Sequence, residues 1–102
     1  MTSPRDVLTP DSLSMLHAIE KAGSFAAAAR GLGLVPSALT YRVRQIEDAL
    51  DVLLFDRSSR HAKLTAAGHE LMREGERLLA DMDAIANRVK RCLLYTSDAA
   101  DD

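Results

Sequence analysis

Leu71, Leu78 and Ile85, interleaved with Gly75, Met82 and Val89, follow an alternating four-and-three spacing. That spacing places apolar groups along one stripe of a helix, as in a coiled-coil seam. Thr65 is the expected N-cap, Ala66 and Ala67 open the first turn, and the helix is expected to cover residues 66–91. At a rise of about 1.5 Å per residue it is roughly 39 Å long. A rod of that length exceeds what a domain this small can cover from within. Leu71, Leu78, Met82, Ile85 and Val89 are therefore the candidate contacts to a partner subunit. Packing of the stripe within one subunit is the alternative.

The remainder of the 102 residues is one domain's worth of chain. Thr9-Pro10-Asp11 reads as a helix start, with Thr9 as cap and Pro10 at the first helical position, where a missing N–H costs nothing. Leu13, Leu16 and Ile19 form its apolar stripe, and Gly23 stops it. Ser24 is the next N-cap, opening a short helix over residues 25–30 whose alanines let a neighbour approach closely. Gly31 and Gly33 supply the positive φ of a tight turn. Pro36 restarts the chain as a helix through Leu50, with Leu39, Val43, Ile46 and Leu50 toward the core. Ser37, Thr40, Tyr41 and Arg44 stand on the other side, with Arg42 nearby. The run Val52-Leu53-Leu54-Phe55 predicts a buried strand, residues 56–63 a polar basic turn, and Leu64 the return to the core, together a two-stranded wing. The fold class expected is mainly α: a winged helix-turn-helix of three helices and a wing over residues 8–65, then the linker helix. Residues 92–102 break the composition and abandon the seam, and read as an appendage, either non-native or a natural acidic tail.

The net charge of -2 misleads, because Asp98, Asp101 and Asp102 crowd the last five residues. Without them thirteen basic residues face twelve acidic ones. Between Arg30 and Lys63, six basic residues meet four acidic ones, a local excess that suits a polyanion. Cys92 is the only cysteine, so no intramolecular disulfide forms, and a reducing cytoplasm is the expected location. No apolar run is long enough to span a membrane, and the N-terminus lacks a signal peptide's apolar core. His17, His61 and His69 are scattered, so neither a metal nor a cofactor is expected. With no Ser/His/Asp constellation and no Gly-rich phosphate loop, an enzyme is not expected either.

Two helices joined by a tight turn, the second with a polar outer face, match the plan in which one helix enters the DNA major groove. That groove is about 12 Å wide and admits a single helix. Arg57 and Arg60 in the wing would reach a flanking minor groove or the backbone. The other reading is a protein-interaction module using the same helices without nucleic acid.

Gly23-Ser24-Phe25, Ala28-Ala29, Ser37-Ala38-Leu39-Thr40, Ile46-Glu47, Leu54-Phe55-Asp56-Arg57 and Leu64-Thr65-Ala66-Ala67-Gly68 together resemble the LysR-type transcriptional regulators. The resemblance covers roughly residues 8–91. It implies a bacterial, sequence-specific binder of double-stranded DNA, paired through the linker helix, a homodimer that becomes a tetramer in a full-length protein. By motif position, its DNA contacts fall on Ser24, Pro36, Ser37, Thr40, Tyr41, Arg44, Arg57 and Arg60. It also implies a C-terminal effector domain sensing a small molecule, which these residues do not encode. Asp51 stands where the family usually has glycine, and Val35-Pro36-Ser37 replaces the common Ser-Gln-Pro.

Overall fold

The structure is a computed structural model that describes residues 3–58 and 60–100, with side chains as far as Cys92. The element order is α1 (Pro4–Val7), α2 (Pro10–Ala22), α3 (Phe25–Leu32), α4 (Pro36–Leu50), β1 (Phe55–Asp56), β2 (Lys63–Leu64) and α5 (Ala66–Ala100).

All three prolines open a helix. The ring presets a helical φ, and the N–H it removes would have had no partner in the first turn. Thr9 and Ser24 cap α2 and α3 as the sequence predicts, accepting from the amides of Ser12 and Ala27 at 3.1 Å each. Helix α1 was not foreseen. Its sign was present in Ser3 and Asp6, three apart around a proline: the Asp6 carboxylate accepts from the Ser3 amide and hydroxyl at 3.3 and 3.0 Å. The short turn delivers Val7 to the core beside α4.

Left-handed residues set the angles between helices. Gly23 ends α2 at φ 83°, and Gly33 ends α3 at φ 72°. The Leu34 amide reaches back to the Ala29 carbonyl at 2.8 Å, which closes the turn into α4. Gly31 does not share this work: it lies inside α3 and its φ is ordinary. Helix α4 ends the same way on Asp51, at φ 58°, with the Val52 amide donating to the Glu47 carbonyl at 3.2 Å. The aspartate thus takes the conformation a glycine would adopt without steric cost.

Leu16, Ile19, Leu39, Val43, Leu54 and Phe55 form the fully buried centre of the core. The wing is a two-stranded antiparallel sheet, Phe55 opposite Leu64 and Asp56 opposite Lys63. The strand expected at Val52 starts only at Phe55. Val52 and Leu53 are exposed because the left-handed turn at Asp51 faces them outward, and Leu54 and Phe55 alone enter the core.

Helix α5 begins one residue after the wing. The Thr65 hydroxyl accepts from the Gly68 amide at 3.1 Å and donates to the Leu53 carbonyl at 2.5 Å, while the Thr65 amide donates to the Leu54 carbonyl at 3.0 Å. A Cβ on Gly68 would collide with the Leu54 carbonyl oxygen. Gly75 also acts within the subunit rather than along an outer seam: it is buried, and a Cβ there would lie 2.9 Å from Leu13 Cδ2 of α2. Leu71 likewise packs on the core, whereas Leu78, Met82, Ile85 and Val89 are exposed. The stripe therefore changes occupation along its length. The helix continues past Arg91 to Ala100, since no glycine or proline interrupts it; of the expected appendage at 92–102, the side chains beyond Cys92 lie outside the described residues.

Two substitutions test these joints by thermal and chemical denaturation. Asp51→Gly relieves the left-handed strain and should raise stability by about 0.5–1 kcal/mol. Gly68→Ala forces α5 off the Leu54 backbone and should lower it by roughly 2 kcal/mol or more.

Candidate nucleic-acid interface

Helix α4 has two opposed faces. Leu39, Val43 and Ile46 are buried, while Ser37, Tyr41 and Arg44, spaced by four and three residues, are exposed on the other side. Pro36 is exposed in the first turn, and Thr40 is half-buried at the flank of the polar row. The Tyr41 hydroxyl accepts from Gln45 Nε2 at 3.3 Å, which props the ring along the helix. Ser24 stands at the N-terminus of α3, its hydroxyl already engaged as the cap.

The wing is tied down on both sides. Ala62 N–H donates to the Gly23 carbonyl at 2.8 Å, joining it to the α2–α3 turn. Asp56 Oδ1 accepts from the Ser58 amide at 2.9 Å and the Ser58 hydroxyl at 2.6 Å. These two bonds, with a smaller contribution from the Lys63 charge, hold the Asp56 carboxyl below its usual range. Arg60 is exposed in the bend between the strands.

Arg57 is placed differently from Arg60. Its Nη2 donates to Glu47 Oε1 at 3.0 Å, and the guanidinium lies over the Phe25 ring, 4.9 Å from the centroid. Glu47 is buried, at 5% exposure, and its other oxygen accepts from the amides of Leu54 at 2.7 Å and Phe55 at 3.4 Å. Phe25 meets Phe55 edge to face, with centroids 5.3 Å apart. One carboxylate thus binds the end of α4 to the root of the wing. Sequence reasoning counted Glu47 among the acidic residues offsetting the basic segment and did not see this role. The available sign was a charged residue directly beside Ile46, within the apolar arc of Val43, Ile46 and Leu50.

No group of three or more His, Cys, Asp or Glu side chains that could hold a metal ion occurs among the described residues; His17 Nδ1 lies 3.9 Å from Glu20 Oε1. No helix among them is long and apolar enough to cross a membrane.

The model of the bacterial regulatory helix-turn-helix protein, lysR family, matches residues 10–69. The probable HTH-type transcriptional regulator YhaJ of Escherichia coli strain K12 is 47% identical over 78 residues, 76% of this chain and 26% of that protein. The HTH-type transcriptional regulator PunR of the same strain is 46% identical over 71 residues, 70% of this chain and 23% of that one. Among solved structures, the CbnR_DBD–DNA complex aligns with a TM-score of 0.74 at 30% identity, covering 83% of this chain and 98% of the other. The BenM_DBD/benA site 1 DNA complex aligns at 0.73 and 27%, covering 82% and 94%. Helix-turn-helix, wing and outward polar face define a winged helix-turn-helix DNA-binding domain of the transcription-regulator class. The chain belongs to the LysR family of bacterial regulatory helix-turn-helix proteins, whose matched members here are regulators and not enzymes. It spans about a quarter of the length of the curated relatives it matches.

Glu47→Ala would strand Arg57 and leave two amides at the wing's root without their acceptor. With the partly exposed Arg57 discounted, a loss of about 2–3 kcal/mol is expected in urea unfolding. Asp56 has a pH signature. Its folded carboxyl is the stronger acid, so its contribution is present above the usual carboxylate range and disappears as pH falls through the folded value. Asp56→Ala should therefore be less stable than wild type at neutral pH, with the gap closing on acidification in paired melts.

Proposed function

We propose that this chain reads double-stranded DNA in a sequence-specific way, with α4 in the major groove and the wing against the flanking minor groove or backbone. The observation that carries this reading is the helix presented by the Gly33 turn with its apolar side buried and Ser37, Tyr41 and Arg44 facing out. Ser37 and Thr40 hydroxyls would donate to or accept from base edges, Tyr41 would touch a phosphate or a thymine methyl, and Arg44 would grip a phosphate or guanine. Pro36 sets the closest approach of the first turn. Ser24 would bring the α3 N-terminus to a backbone phosphate. Arg60 in the wing would enter a narrow, electronegative minor groove. Arg57 belongs to the same wing, with its guanidinium held by Glu47.

The unit that binds is a homodimer. Leu78, Met82, Ile85 and Val89 are 47%, 43%, 52% and 61% exposed, and nothing within the described part of the chain covers them. Pairing of two α5 helices through this stripe would place two α4 helices on one face of a partly palindromic site. A longer protein of this family would extend the dimer to a tetramer and respond to a small molecule through a further domain. DNA as partner makes the cytoplasm its place of action.

Selection from random duplex DNA should enrich an inverted repeat with the wild type, and Thr40→Ala/Arg44→Ala should lose that enrichment while still folding. Affinity should fall steeply with salt, because each neutralised phosphate releases counterion. Unselective binding by a folded dimer would instead support the protein-interaction reading. Leu78→Asp/Ile85→Asp should sediment as a monomer and bind a full site at least tenfold more weakly, as a lost second half-site requires.

A further inference from the structure

The geometry points to Arg57 as a positioning residue for the wing, acting with Glu47 to set where Arg60 meets DNA, rather than as a DNA contact in its own right. This inference rests on the DNA-reading function proposed above. Both wing arginines reach solvent, but Arg57, with 36% of its side chain exposed, is also engaged on two sides, whereas Arg60 stands in the bend between the strands. Its Nη2 is 3.0 Å from Glu47 Oε1, and its guanidinium carbon lies 4.9 Å from the centre of Phe25.

Arg57 and the two residues it connects come from three parts of the chain that a DNA-reading domain must hold in register. Glu47 sits three residues beyond Arg44 on α4. Phe25 is the first residue of α3, next to the Ser24 cap. Arg57 immediately follows β1, three residues before Arg60. Glu47 also accepts from Leu54 and Phe55, so its carboxylate fixes the backbone of the strand as well as the arginine that follows it. A guanidinium bound by a buried carboxylate and stacked on an aromatic ring has little freedom left to swing to a phosphate. A charge-assisted hydrogen bond combined with stacking on a ring is what guanidinium supplies better than a point charge. The wing's base is therefore located by Arg57, and its reach is delivered by Arg60.

The probe is the inverted-repeat duplex that the wild type enriches, with its flanking base pairs varied between A·T and G·C. Arg57→Met keeps contact with Phe25 but removes the charge, and it is compared with Arg60→Ala and with the double variant. Expected are losses of about tenfold in each single variant, loss of the A·T preference at the flanks with the central half-site preference kept, and no further loss in the double variant, since coupled residues are not additive. Additive losses, with Arg57→Met lowering the slope of log affinity against log salt by a further unit or so in the Arg60→Ala background, would make Arg57 a phosphate contact and overturn the proposal. Glu47→Gln supplies an independent sign. It touches no DNA and removes a negative charge, so a direct-contact Arg57 would bind as well or better once released, whereas a positioning Arg57 predicts weaker binding and loss of flank preference. A melting curve for each variant confirms that it is folded. If the wild type enriches no sequence, the DNA-reading function itself fails; if it enriches one and the variants are additive, only the role of Arg57 does.

Discussion

A carboxylate removed from water must find donors, and the donors it finds organise what surrounds it. Glu47 meets this demand with two backbone amides and a guanidinium, all contributed by the chain between Leu54 and Arg57. The helix that would read DNA and the strand that begins the wing are joined there by charge as well as by apolar packing. Apolar contacts alone tolerate sliding, because burial is non-directional. Hydrogen bonds to one carboxylate do not, and the register of the wing relative to α4 follows from them. Phe55, fully buried, meets Phe25 edge to face, and the Arg57 guanidinium of this polar link lies over the Phe25 ring.

Much of the fold could be read from local chemistry. Thr9, Ser24 and Thr65 are caps with donors at the expected distance, and Gly23 and Gly33 mark helix ends because their φ values exclude most side chains. What escaped the sequence reading was context. Val52 and Leu53 are apolar and by composition belong to a buried strand, yet their exposure depends on a turn made by Asp51 in the left-handed conformation, which glycine takes freely and aspartate only occasionally. Gly75 falls on the repeating stripe, and its spacing alone groups it with the outward seam. Only the approach of Leu13 from another helix shows what it accommodates.

The candidate site was legible to a similar depth. The outward row of Ser37, Tyr41 and Arg44 follows from helical periodicity, because the apolar residues between them fix which way the helix must face. Arg57 and Arg60 are indistinguishable by residue type and lie three positions apart, so sequence alone gives them one role. Their difference appears only when Glu47 is seen to be buried, since an interior charge claims the nearest cation and leaves the other to solvent.

The junction at Thr65 and Gly68 has a mechanical meaning. With a single residue between β2 and α5, and no side chain between Gly68 and the Leu54 carbonyl, the long helix is fused to the domain rather than hinged on it. Its 35 residues make a rod of about 52 Å. A tilt of only ten degrees at the root would carry the far tip by roughly 9 Å, more than the width of five residues of helix rise. Stiffness at that joint converts the length of α5 into a ruler, and any slack there would be magnified before it reached the other end.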